Sequence, residues 1–258
     1  NRYMIQSIFC VHNRHQTRTF ESQLVHQNNE ANTLLPNWNQ EPHPDLRKRV
    51  MARWEEASRR FSPVITVDEN DGRRFPWPNV RVLPLWHGTK EKVCHSVCNS
   101  GFVFFGKTAI SGMKKGNRPF TDEGYFGSGI YFTNSPRYAA DIYSKGHLLL
   151  SWVSMRDPFP VVDGDMATLK GMGAYENYNA HYIPVRSTNE RNLLAPAYYP
   201  CKQNEQPHCD ELVVFQTAQT LPRFWVELEL LPLYQTKLSP EPTFVKHLIA
   251  HLYNKIGR

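Results

Sequence analysis

Leu-Trp-His-Gly-Thr at 85–89 and Gly-Ser-Gly-Ile-Tyr-Phe at 127–132 constrain this 258-residue chain more than any other feature. Each is a strand-like run interrupted by glycine. A third β-prone run, Asp-Glu-Leu-Val-Val-Phe at 210–215, adds a carboxylate. Taken singly, all three are ordinary. His-Gly-Thr is a common tripeptide, Tyr131 reads as a core residue where a turn enters a strand, and Glu211 reads as a charge on an edge strand. Their order and spacing carry the information. An imidazole, a phenol and a carboxylate lie far apart in sequence, and a fold that brought their strands side by side would gather them around one cleft.

The remaining composition permits such a fold. With 40% hydrophobic residues the chain can bury a substantial core, and one large domain with local elaborations accounts for its length. The chain opens on Asn1 with no signal-like apolar run, which predicts a piece of a longer protein. Leu148-Leu149-Leu150 falls far short of the roughly 18 apolar residues of a membrane-spanning helix, so no membrane partner is expected. Five cysteines without the spacing of a disulfide scaffold suit a reducing compartment, cytoplasm or nucleus. Cys94, Cys98, Cys201, His208 and Cys209 would make a zinc site only if two distant segments met, so no metal is expected and buried thiols are preferred. A net charge of +6 and a pI near 9.0 suit an anionic ligand such as a dinucleotide, but equally nucleic acid or an acidic protein surface.

Periodicity organises the chain. Residues 3–24 read as a strand feeding a short helix, and 27–44 as an exposed, Asn- and Pro-rich connection. Asp45 reads as an N-cap for a helix with an apolar stripe of Leu46, Val50, Trp54, Ala57 and Phe61, ended by Ser62-Pro63. Its other face is assigned Arg47, Lys48, Arg49, Arg53, Arg59 and Arg60, read as solvated in preference to phosphate-binding. Residues 68–78 are a turn region, and Val80, Val82 and Leu85 form a strand leading into His87. Residues 91–100 form a helix stopped by Gly101, and 108–124 form a loop suited to covering a ligand. Asn134-Ser135-Pro136 starts another helix, and 148–153 and 161–162 are strand candidates. The stretch 164–200 reads as mostly irregular. Residues 211–215 and 224–231 are strands separated by Leu221-Pro222, and 242–257 is an amphipathic helix.

In this order and spacing the three blocks resemble the catalytic domain of the poly(ADP-ribose) polymerase (PARP) family of ADP-ribosyltransferases, whose split NAD site carries His, Tyr and Glu in that sequence. The match extends through Thr-Ala-Gln-Thr-Leu-Pro at 217–222, which selects Glu211 over Glu205 or Glu227. The resemblance implies an α+β ADP-ribosyltransferase fold: two packed, mainly antiparallel sheets around a split NAD cleft, with flanking helices. It implies a catalytic domain over 1–235 with an inserted loop-helix region at about 27–79, followed by a C-terminal helical extension over 236–258.

The resemblance also implies roles for single residues. His87 hydrogen-bonds the adenosine ribose, Gly88 holds the nicotinamide carboxamide through its backbone, and Thr89 reaches the adenosine side. The Tyr131 ring stacks on nicotinamide, and Glu211 orients the nicotinamide ribose and favours the positive charge that grows there as nicotinamide leaves. The chain departs from the family on the helix after Tyr131, where a carboxamide-binding Ser is usual and Tyr138 or Ala139 stands instead. Ser135 is a candidate for that missing hydroxyl and Tyr143 for the second wall of the nicotinamide slot. The implied function is transfer of ADP-ribose from NAD, without metal, to a protein acceptor or a nucleic-acid end. The elaborated loops favour mono-transfer over poly-transfer. The alternative is a catalytically silent NAD- or ADP-ribose-binding interaction module, and the basic 45–61 helix leaves nucleic acid open as a partner.

Overall fold

The computed structural model describes residues 3–30, 38–65, 79–103, 124–176, 178–187 and 198–231. Nine strands form one hydrogen-bonded path: β1 (Tyr3–Cys10), β9 (Thr220–Leu230), β4 (His147–Met155), β2 (Arg81–Thr89), β3 (Ile130–Thr133), β8 (Cys209–Val214), β6 (Ala180–Ser187) and β5 (Phe159–Pro160), with β7 (Tyr198–Pro200) also on β6. All pairings are antiparallel except β5 with β6. The expected α+β class is present. The two sheets expected from the resemblance are two halves of one path, joined where β2 and β3 share the single register pair Trp86↔Thr133. His87 and Tyr131 flank that seam.

Alternation along the strands sorts side chains onto the two faces. Leu83, Leu85, Ile130, Phe132, Leu212 and Val214 enter the main core beneath α2 (Pro44–Ile65) and α3 (Glu91–Ser100), which contribute Val50, Trp54, Cys94 and Val97. Val213, Cys209, Ile183 and Val185 enter a second cluster on the opposite face, with Tyr131, Tyr138 and Tyr143 against it. Helix α1 (Arg14–Asn29) closes one end through Phe20 and Leu24, packed with Val80, Val82 and Leu221. Asn13 joins two helix ends. Its Oδ1 accepts from the His15 and Gln16 amides to cap α1, and its Nδ2 donates to the Cys98 and Asn99 carbonyls at the end of α3. Gly101 then takes φ 84°, the left-handed geometry that ends α3 where the sequence predicts a stop.

Several expectations are corrected. Helix α1 continues to Asn29, and Gln27, assigned to an exposed connection, is fully buried. Helix α2 begins at Pro44, so Asp45 lies in its first turn rather than capping it, and the helix runs past Ser62-Pro63 to Ile65. Its basic residues do not share one face. The Arg47 side chain is 1% exposed and forks onto Asp165 with two contacts of 2.8 Å, while also donating to the Pro42 and Pro160 carbonyls. Arg53 is also turned inward, onto Asp210. Lys48, Arg59 and Arg60 are exposed, and so is Arg49, which donates to the Gln203 carbonyl. Arg47 and Arg53 both engage internal carboxylates, and Arg53 remains partly exposed.

The strand read at 161–162 lies one pair earlier, at β5, and β9 begins at Thr220, so Leu221-Pro222 belongs to the strand and is accommodated by a bulge opposite Leu150 and Ser151. The largest correction is β6, a buried strand inside the stretch read as irregular. The 108–123 loop and the 242–257 helix lie outside the described residues. No described helix is long and apolar enough to cross a membrane.

Strand β6 carries His181, which has no exposed surface. Its Nδ1 lies 2.6 Å from the Phe126 carbonyl and its Nε2 accepts from the Tyr175 amide at 2.9 Å. The ring is therefore the neutral Nδ1–H tautomer, and burial pushes its pKa down from 6.5 to about 4. Below pH 6.5 the unfolded chain binds a proton here that the folded chain refuses until about pH 4. Stability from this group is complete above that window and falls as pH drops through it, by up to about 3 kcal/mol. An NMR titration of the His181 ring is expected to give a midpoint near 4, with unfolding free energy declining across the same range; a midpoint near 6.5 would refute the assignment.

Candidate active site

Glu211 sits in the middle of β8, opposite Thr133 of β3 on one side and Ile183 of β6 on the other. Its neighbours Leu212 and Val214 face the main core, so Glu211 shares the other face with Val213, Cys209 and the tyrosines. The residue is 3% exposed, and Oε1 receives two phenol hydroxyls: Tyr138 at 3.0 Å and Tyr143 at 2.9 Å. The two hydroxyls lie 3.4 Å apart.

Those tyrosines come from the segment that follows β3. Ser135 caps helix α4 (Pro136–Tyr138), its Oγ accepting the Tyr138 amide at 3.2 Å. The chain then widens into a π-turn over Ala139–Tyr143, closed by the Ser144 amide donating to the Ala139 carbonyl at 2.9 Å. In an α-helix, positions five apart diverge by about 140°. The wider turn brings Tyr138 and Tyr143 back to one side, where both reach the same carboxylate oxygen.

Tyr131 lies on the same face, two residues before Thr133. Its hydroxyl donates to the Gly127 carbonyl at 2.8 Å and accepts from the Phe126 amide at 2.9 Å, fixing the turn that precedes β3. Across the seam, His87 Nδ1 lies 2.8 Å from the Tyr131 carbonyl, which can only accept, so Nδ1 carries the proton and Nε2 is the ring's acceptor. Burial pushes the His87 pKa down, against the smaller opposing effect of that carbonyl, and keeps the ring neutral. Phe102 and Phe132 hold it at 5.1 and 5.7 Å between ring centres.

The other expected site residues divide. Gly88 lies against the π-turn: a Cβ there would collide with the Ala139 carbonyl and come within 2.9 Å of the Ser144 amide. Thr89 is half-buried at the end of β2, opposite His147, and its carbonyl accepts from the Lys145 amide at 2.9 Å. Ser135 accepts the Tyr138 amide in its cap, and Ala139 brings no hydroxyl. Tyr143, expected as a wall, also bonds Glu211. Tyr138, expected only as the occupant of a serine position, reaches Glu211 because the π-turn, unlike an α-helix, keeps it on the side of Tyr143.

Asp210, beside Glu211, faces the opposite way. Arg53 donates to it at 2.5 Å and Asn134 at 2.6 Å, while the Asp210 amide donates back to Asn134 at 2.9 Å. Burial pushes its pKa up, and Arg53 is the leading influence in the other direction. A concavity of about 540 Å³ opens on that side, lined by Arg49, Arg53, Glu56, Lys202 and Glu205 among others, and His87, Tyr131 and Glu211 do not contribute to it. Among the described residues no group of three or more His, Cys, Asp or Glu side chains converges as a metal site would require. Burial instead pushes the Cys94 thiol up to about 12.

A family profile, the poly(ADP-ribose) polymerase catalytic domain, matches residues 1–230. The chain belongs to the PARP family. A comparison with curated proteins gave no significant match. Membership implies NAD as substrate and ADP-ribosyl transfer as the chemistry of the domain. The polar groups suit a ribose-bearing ligand: Nε2 of a neutral His87 can accept from a hydroxyl, and the Glu211 carboxylate can do the same.

The packing at Gly88 generates a prediction independent of ligand. Because the colliding atoms are backbone, Gly88→Ala must displace the π-turn and is expected to cost about 1–3 kcal/mol. Urea unfolding of the two proteins measures this, and equal stability would mean that the turn is not held against β2.

Proposed function

We propose that this PARP-family domain is an active His-Tyr-Glu transferase, in which His87, Tyr131 and Glu211 serve the transfer of a single ADP-ribose from NAD to a protein acceptor. NAD supplies a ribosyl–nicotinamide bond whose cleavage leaves positive charge on the ribose. His87, neutral and fixed by the Tyr131 carbonyl, accepts a hydrogen bond from the adenosine ribose through Nε2. The Gly88 backbone holds the carboxamide and the Tyr131 ring stacks on the nicotinamide, with Thr89 toward the adenosine. Glu211 holds the nicotinamide ribose and places a negative charge where the positive one develops.

The observation that carries this reading is the environment of Glu211. What supports this reading is a residue that is 3% exposed, receives two phenol hydroxyls on Oε1 and shares a face with Tyr131, so that its carboxylate is oriented. An edge-strand charge would need none of this. The preference for a single transfer rests on the elaborated loops alone, and a nucleic-acid end remains the second class of acceptor.

Glu211→Gln keeps the side chain's shape and removes its charge. Incubated with labelled NAD, the variant is expected to release nicotinamide at least about a hundred times more slowly than the parent. NAD affinity should change by no more than a few-fold, because the charge acts in the transition state. A parent that binds NAD without turnover would instead identify a silent binding module. Mass spectrometry of modified residues after reaction distinguishes one ADP-ribose from a chain.

A further inference from the structure

We propose that Tyr138 is a positioning residue for the transfer reaction: its phenol anchors Oε1 of Glu211 from below, fixing the direction in which the carboxylate meets the ribose. This rests on the transferase reading above. Three observations assign the role to Tyr138 in particular. Its hydroxyl bonds Oε1 at 3.0 Å, and the residue is 4% exposed, whereas Tyr143, which bonds the same oxygen, is only half-buried. Its backbone is fixed by the Ser135 cap and its ring is packed on Tyr198 of β7 at 4.2 Å between centres. Its hydroxyl sits 3.4 Å from that of Tyr143, and with both O–H protons given to Oε1 the two phenols converge on that oxygen without bonding each other.

Burial, with the Glu211 charge next in effect, pushes the Tyr138 pKa far up, so the phenol remains a donor throughout the range in which an enzyme works. A neutral donor has a specific consequence. It orients the carboxylate and favours its ionised form without cancelling the charge, as a lysine or arginine would. Tyr143, nearer the surface, is the partner that can exchange its bond when a ribose hydroxyl arrives. Tyr138 is enclosed and stays.

The test uses the whole chain with Tyr138→Phe, which keeps the ring on Tyr198, and with Glu211→Gln as the reference for complete loss. Nicotinamide release at saturating NAD, NAD affinity by equilibrium binding, thermal unfolding and the pH profile of kcat are measured on each. Tyr138→Phe is expected to lower kcat by about ten- to a hundred-fold, the range for a hydrogen bond to a charged group, with NAD affinity and unfolding close to the parent. The acid limb of kcat should move to higher pH, since a donor to the ionised form has been removed. A merely structural role would not move that limb.

An unaltered kcat and pH profile in Tyr138→Phe overturns the proposal, as does a loss confined to NAD affinity. If the Phe variant does not fold, 3-fluorotyrosine at 138 keeps ring and hydroxyl while making a stronger donor, and the acid limb must then move to lower pH; an unmoved limb overturns the proposal. A parent that binds NAD but releases no nicotinamide overturns the transferase reading and this inference with it. A parent that turns over normally beside an unimpaired Tyr138→Phe overturns this inference alone.

Discussion

A carboxylate buried in the interior of a strand is costly unless donors reach it, and the structure around the β3–β8 pair is organised by that requirement at Glu211. The backbone there is held on both sides, by Thr133 and by Ile183, so the side chain cannot escape by moving its strand. Donors must come to it. They come from the segment after β3, which first makes an ordinary capped turn at Ser135 and then widens by one residue so that two tyrosines converge on one oxygen. The widened turn in turn requires Gly88 on β2, because its Ala139 carbonyl occupies the space a side chain would need. A glycine in the first block, a π-turn after the second and a carboxylate in the third are therefore parts of one packing arrangement.

Asp210 meets the same requirement by another route. It is 2% exposed, one residue away, and faces the opposite side, where α2 delivers Arg53 and the end of β3 delivers Asn134. Helix α2 is fastened a second time by Arg47, whose guanidinium is buried against Asp165, Pro42 and Pro160. Breaking such a buried pair by removing one partner leaves a charge with nothing to offset it, at a cost of several kcal/mol. This explains why α2 is fixed at two points although its sequence reads as an amphipathic helix with a solvated basic face.

Elements with a clear period or a local stop signal were legible in the sequence. Helix α3 and its Gly101 terminus, β2 leading into His87, the Ser135-Pro136 start and the β-prone run around Glu211 all appear where the residues predict them. What escaped was decided by long-range partners. Strand β6 contains His181, Pro184 and Arg186 among its apolar residues, which lowers its β signal, and it is a strand because β5, β7 and β8 pair with it. Arg47 and Arg53 look like solvated charges until Asp165 and Asp210, more than a hundred residues away, are brought beside them. Tyr138 was hidden by a helical period that the chain abandons at that point. The three blocks themselves were readable because their chemistry is carried by residue type and order, which folding does not alter.

The contrast between neighbouring acids also bears on function. Asp210 is met by a guanidinium, the partner expected where the task is to neutralise a buried charge and hold a helix. Glu211 receives two phenol hydroxyls on Oε1, which are neutral donors. A domain that only recognised ADP-ribose would use such a carboxylate as an acceptor for a ribose hydroxyl, a role that a neutral amide oxygen can also fill. A domain that must stabilise a ribose becoming positive gains directly, since the stabilisation grows as the bond to nicotinamide breaks. The proposed transferase function draws on this difference between two donor sets, one residue apart on one strand.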